Sequence, residues 1–178
     1  WFVKRHRYRR NVVYVGANDG MLHAVNGGFY NEKENKFYKN LTLAKGVASF
    51  DDSDPAPALG MELWAYVPYN LQPHLRCLAK PLYGAGDGTG HKYFVDKEPR
   101  IFDMQIFEEE EACSTDPYAQ DCIHPKGWGT VLVGSMRFGG APITAKDGPQ
   151  WSASDTRQFI SSYFLLDITD PERPPKLL

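Results

Sequence analysis

A mainly β fold, with short strands separated by long loops, is what this 178-residue sequence predicts. Its 16 glycines and 13 prolines exceed average usage and mark many turns. Aromatic residues make up 13% of the chain, and such rings favour pleated, half-buried surfaces. Runs of β-branched and aromatic residues recur between Gly, Asn and Asp clusters, whereas helical periodicity is sparse. With 42% hydrophobic and 24% charged residues the composition is that of a globular domain, not of a disordered chain or charged tail. A net charge of −2 gives no reason to expect a polyanionic partner. No apolar run approaches the ~20 residues needed for a membrane-spanning helix.

In chain order, Lys4-Arg5-His6-Arg7-Tyr8-Arg9-Arg10 alternates charge and ring as an edge strand does, where positive charge discourages edge pairing. Its basic and aromatic interleaving superficially resembles a nucleic-acid surface, but the balanced total charge argues against that partner. Val12-Val13-Tyr14-Val15-Gly16 and Met21-Leu22-His23-Ala24-Val25 are extended runs joined by Asn18-Asp19-Gly20, a strong hairpin signal. Residues 27–60 are polar and rich in Gly, Asp and Pro, and read as a long surface insertion. Glu62 to Val67 is a strand ended by Pro68. Leu71, Leu75 and Leu78 lie at helical spacing within 70–80, with Asn70 as a candidate cap.

Residues 84–90 form a glycine-rich loop. His91–Val95 and Arg100–Phe107 read as two further strands. Residues 108–126 carry Glu108-Glu109-Glu110-Glu111, a solvated loop margin, and then a polar loop. Trp128–Gly134 is a strand, 139–157 is another loop insertion, and Phe159–Ile168 is the last long strand. The chain opens on Trp1 and stops at Lys176-Leu177-Leu178, so both ends look cut, as in a piece of a longer polypeptide.

None of the three cysteines sits in a Cys-x-x-Cys pair. Cys113 and Cys122 flank a polar loop, which suits a local disulfide in an exported protein; the alternative is two unpaired loop thiols. Cys77 is then left without a partner.

The hairpin has an internal echo. Val131-Leu132-Val133-Gly134, a loop, and Phe164-Leu165-Leu166-Asp167 repeat the strand, glycine, connection and strand of residues 13–26 about 118 residues later. Repeated hairpins without a helix of matching period point to radial β repeats, the blades of a propeller; two hairpins of a sandwich are the alternative.

Residues 12–24, Val-Val-Tyr-Val-Gly-Ala-Asn-Asp-Gly-Met-Leu-His-Ala, resemble the signature opening the C-terminal β-propeller of the PilC/PilY family of type IV pilus assembly and adhesion proteins. Glu62–Pro68, His91–Asp96, Trp128–Gly134 and Phe164–Pro171 resemble the following family blocks in order. The resemblance implies a partial, modified β-propeller of quinoprotein-like type, with long insertions at about 27–60, 108–126 and 139–157 and one or two short helices. Residues 1–178 would form the first blades of one such domain. Gly16, Asn18, Asp19, Gly20, Trp64, Trp128, Asp167 and Asp170 are the motif residues it singles out as structural.

The function so implied is a non-enzymatic pilus biogenesis factor or tip adhesin, exported to the bacterial surface, the pilus tip or the outer membrane. Its partners would be pilins or minor pilins, a host or abiotic surface, and the remainder of the parent propeller or a cleaved companion chain. Some family members carry a calcium loop, which would lie elsewhere in the parent protein. Here Asp51, Asp52 and Asp54, with Asp147 and Asp155, offer oxygen ligands without the spacing of an EF-hand loop. No two of the five histidines are spaced as a helical metal pair, and neither a phosphate-binding loop nor a nucleophile elbow is present. A quinoprotein-type propeller oxidoreductase is the alternative, but a convincing cofactor-binding set is lacking.

Overall fold

The computed structural model describes residues 1–44, 47–84, 90–116, 118–147 and 156–178. The predominance of strand is as predicted. Twelve strands run β1 Asn11–Gly16, β2 Leu22–Asn31, β3 Lys36–Tyr38, β4 Asn40–Ala44, β5 Val47–Asp51, β6 Glu62–Tyr66, β7 Arg100–Gln105, β8 Trp128–Ser135, β9 Ile143–Lys146, β10 Thr156–Phe159, β11 Tyr163–Asp167 and β12 Lys176–Leu177. Among the described residues three short α-helices accompany them: α1 Phe2–His6, α2 Gln72–Leu75 and α3 Glu111–Thr115.

Two antiparallel sheets organise these strands. In the first, β2 is central, pairing with β1 along most of its length, with β6 over residues 22–25 and with β3 over 29–31. The second has the order β12-β11-β8-β7. The predicted hairpin is present: Gly16 faces Leu22, and the Asn18-Asp19-Gly20 turn closes the pair. Its echo is also an antiparallel pair, with Leu165 opposite Val133. The remaining strands form two ribbons, β4-β5 and β9-β10.

The sheets meet in a common core of Leu22, Leu71, Phe94, Val95, Leu132, Phe164, Leu166 and Ile168. Alternation along β2 buries Leu22, Ala24 and Asn26 on one face, as a period of two requires. Trp64 and Tyr66 of β6 pack against this core, and the Tyr66 ring lies 5.3 Å from that of Phe164.

Several elements differ from the sequence-based expectation. Of the basic segment 4–10 expected as an edge strand, residues 4–6 lie in the helix α1 and 7–10 form a turn and coil; helical spacing places Phe2 and His6 in ring contact at 4.9 Å and buries Phe2 beside Trp128. Residues 27–60 are not irregular, since β2 continues to Asn31 and three more strands follow. Facing rings hold this polar stretch together, Tyr30 on Phe37 and Tyr38 on Phe50.

The helix expected over 70–80 is a 3-10 turn followed by one α turn, with Pro73 near its start. Asn70 is not its cap; its amide donates to the Ile160 carbonyl instead. Residues 91–95 form no strand. Their alternation serves a different end: Phe94 and Val95 enter the core while their N–H groups go to Asn18 Oδ1 and the Ala17 carbonyl. The expected loop over 139–157 contributes the ribbon β9-β10, and the last long strand is split into β10 and β11. Of the glycine-rich loop, residues 85–89 lie outside the described residues.

Candidate functional site

The Asn18-Asp19-Gly20 turn is a self-contained knot. Asp19 Oδ1 accepts the Met21 N–H, while Asp19 Oδ2 lies 2.8 Å from His23 Nε2. The other ring nitrogen of His23 is 2.5 Å from Glu62 Oε2 on β6. The Glu62 contact raises the His23 pKa above its ordinary value; burial opposes it and Asp19 adds to it. Gly20 has φ +98, a conformation open to glycine. Gly16 is needed for a different reason: a Cβ there would lie 2.4 Å from the Val95 carbonyl oxygen. The motif residues thus seat the 92–95 segment, and Trp64 supports them through a ring contact with Tyr14 at 5.6 Å.

Asp96 continues this anchor. Its carboxylate accepts backbone N–H groups from Arg137, Phe138 and Gly139 at 2.7, 2.8 and 3.2 Å. Burial opposes ionisation, but these donors hold the carboxyl below its usual range. The anchored turn sets Phe138 beside Tyr93, with ring centres 5.6 Å apart, as an exposed aromatic shelf.

A second polar knot lies at the other end of the chain. His124 stacks on Phe107 at 4.1 Å, with Nδ1 2.6 Å from Glu110 Oε1 and Nε2 3.0 Å from Asp167 Oδ2. Burial works against its protonation, but the two carboxylates outweigh it and raise the pKa. Both carboxyls are correspondingly lowered despite their own burial. Glu110 also accepts the N–H groups of Ile123 and His124, so it is a structural anchor and not the solvated margin expected of the glutamate run. Cys113 and Cys122 form the expected disulfide in this loop. Helix α1 docks on it: Arg5 donates to the Cys122 and Gln120 carbonyls, and His6 Nε2 lies 2.9 Å from the Ile123 carbonyl oxygen. Asp167 further accepts from Thr169, and Asp170 pairs with Arg173 at 3.0 Å.

A cleft of about 900 Å³ is lined by residues 6–12, the 29–34 hairpin, the β4-β5 ribbon and Ile101. Arg9 crosses its floor to Thr130 Oγ1 at 2.7 Å, and Thr130 donates in turn to Asp103. Burial pushes the Tyr14 hydroxyl on its wall up to about 12, with Arg9 pulling the other way. Two sheet edges border this region, because β1 and β7 each have one strand partner among the described residues. On β7 the consecutive residues Ile101 and Phe102 are 48% and 51% exposed, so both faces of that strand are open.

The described oxygen-ligand candidates each have a protein partner. Asp51 accepts from Ser53 and Asn40, Asp52 pairs with Lys36, and Asp54 pairs with Lys39. Asp147 faces Tyr69 and Arg157. Asp155 lies outside the described residues. Among the described residues, the one group of three metal-ligating atoms within 4.8 Å is Glu110, Cys113 and Cys122. The other histidines are scattered. His74 is buried with Nε2 unpartnered among the described residues, and His91 contacts Asn18. Cys77 is a free thiol.

Known proteins supply a likeness in sequence. The chain is 29% identical over 149 residues to a protein of Xylella fastidiosa strain Temecula1 named type IV pilus biogenesis factor PilY1 homolog. It is 28% identical over 146 residues to type IV pilus biogenesis factor PilY1 of Pseudomonas aeruginosa. The likeness is to PilY1 proteins. Each match covers 82% of the chain, so the resemblance read from five ordered blocks is supported by whole-segment similarity. The matched segment spans about 8% of the length of each relative. No family model matches the chain. No solved structure matches it.

Proposed function

We propose that the chain is part of a propeller-type module of a type IV pilus system, acting without catalysis by binding protein or a surface. The observation that carries this reading is similarity to PilY1 proteins over 82% of the chain. The fold supports it. The strands β1-β2-β6 and β7-β8-β11-β12 are two antiparallel meanders in chain order, the connectivity of successive blades. Their open first strands, β1 and β7, and the cleft beside them are suited to the rest of the parent propeller or a companion chain. The aromatic shelf of Tyr93 and Phe138 is a second contact surface, suited to pilins or an adhesive substrate. The disulfide fits an exported protein of the cell surface, pilus tip or outer membrane.

Replacing Ile101 and Phe102 with lysine in the parent protein tests the edge, and replacing Tyr93 and Phe138 with serine tests the shelf. Surface piliation and adhesion are expected to fall in at least one variant at unchanged protein level. Unchanged piliation and adhesion in both, and on deletion of the parent, would sink the reading.

A further inference from the structure

We propose that Glu110, Cys113 and Cys122 form a zinc-type metal site when the disulfide is reduced, so that this loop is closed by either a sulfur–sulfur bond or a metal ion. The three ligand atoms already lie within 4.8 Å of one another. Cys113 and Cys122 are 2% and 0% exposed, and the partly exposed Glu110 carboxylate lies 3.3 Å from Cys113 Sγ. Glu110 precedes α3 and Cys113 lies in its first turn, which places their side chains together.

The loop does not depend on the disulfide alone for its shape. Glu110 accepts the N–H groups of Ile123 and His124, so the segment carrying Cys122 stays beside α3 when the sulfurs separate. Arg5 holds the Cys122 carbonyl independently at 3.1 Å. The thiols of the reduced chain are thereby kept close, which lowers the ordering cost of binding an ion.

The ligand chemistry selects the ion. Two thiolates and a carboxylate suit a borderline-soft divalent cation such as Zn²⁺, with water as the fourth ligand of a tetrahedral site. Behind the carboxylate, the His124 ring lies between Glu110 and Asp167, with Nδ1 2.6 Å from Glu110 Oε1 and Nε2 3.0 Å from Asp167 Oδ2. Such a carboxylate–imidazole–carboxylate relay orients a ligand and tunes its charge.

The redox step balances with a dithiol as reductant. Two thiol–disulfide exchanges transfer two electrons and two protons to Cys113 and Cys122, and the dithiol leaves as a cyclic disulfide. Metal binding then releases the two thiol protons.

Cobalt(II), a spectroscopic substitute for zinc, tests the site in protein carrying Cys77→Ser. After reduction, one equivalent is expected to give sulfur-to-cobalt charge-transfer absorption and tetrahedral visible bands, displaced by Zn²⁺. Oxidised protein is expected to give neither. Glu110→Gln keeps an oxygen acceptor for the two backbone N–H groups and, as loss of a ligand, is expected to weaken zinc binding by at least the ~10-fold typical of losing an outer-shell partner. No thiolate–cobalt band in reduced protein would overturn the proposal, as would an undiminished band in Cys113→Ser/Cys122→Ser or unaltered affinity in Glu110→Gln.

Discussion

Arg10 and Glu172 are 162 positions apart and meet in a two-point ion pair, with Nε and Nη2 of the guanidinium 2.7 and 3.2 Å from the two carboxylate oxygens. The guanidinium is 5% exposed and also donates to Asn26 Oδ1, while its plane lies over the Phe29 ring at 4.5 Å. Buried Asn26 in turn donates to the Pro57 and Ala58 carbonyls. One side chain therefore ties the start of β1 to β2, to the 57–60 loop and to the turn after β11.

This arrangement predicts an asymmetry between the partners. Arg10→Ala removes the buried guanidinium with its bonds to Asn26 and Glu172, leaves the Gly28 N–H on Asn26 Oδ1, and is expected to cost about 2–3 kcal/mol, the range for a lost hydrogen bond to a charged group. Glu172 is 53% exposed, so Glu172→Ala is expected to cost about 1 kcal/mol. Urea unfolding of the two variants checks the order, and equal losses would show that Arg10 acts through Glu172 alone.

Gly16→Ala is expected to destabilise by about 1–3 kcal/mol, because the added methyl overlaps the Val95 carbonyl. Trimming Val95 to Ala in the same chain leaves that oxygen in place. Thermal unfolding of the double variant should therefore show no full recovery, since only the 2.8 Å contact with Val95 Cγ1 is relieved.

Reducing the disulfide, or replacing both Cys113 and Cys122 with Ser, frees a short loop in the unfolded chain. Loop entropy alone predicts a loss of about 2–3 kcal/mol at 25 °C, measured by chemical unfolding without added metal. A much smaller loss would indicate that Glu110 carries most of the constraint.

The His124 knot sets a pH window. The imidazole pKa is raised from 6.5, so its contribution is complete below that value and is lost as pH rises through the higher folded value. Glu110 and Asp167 are lowered from 4.5 and 3.8, so theirs is complete above those values and is lost as pH falls through the lower folded ones. The stability gap between wild type and His124→Asn should be widest between pH 4.5 and 6.5 and narrow on either side. His6 has a pKa lowered chiefly by burial and works in the opposite sense, which is why the gap and not the total is the quantity to measure.

Local signals were legible and distant ones were not. The β1-β2 hairpin and the Cys113–Cys122 bridge are written in neighbouring residues, a turn between two apolar runs and two cysteines around a polar loop. The 91–95 run misled because alternation reports burial on one face and says nothing about where the N–H groups go. Asp96, Asn26 and Arg10 carried no recognisable pattern, since their partners lie in distant or irregular segments. Glu110 was hidden inside a run of four glutamates, and only tertiary contact with His124 distinguishes it from its neighbours.

Helix α1 has a consequence for how the chain reaches its final form. Arg5, His6 and Arg9 find their partners 115 to 121 positions downstream. Contacts of that separation carry a loop-closure cost and slow the search. A chain emerging N-terminus first must therefore hold Phe2 and its basic neighbours undocked until β8 and the disulfide loop are available. The opening helix is among the last elements to settle, and a chain halted before residue 120 would present it to solvent.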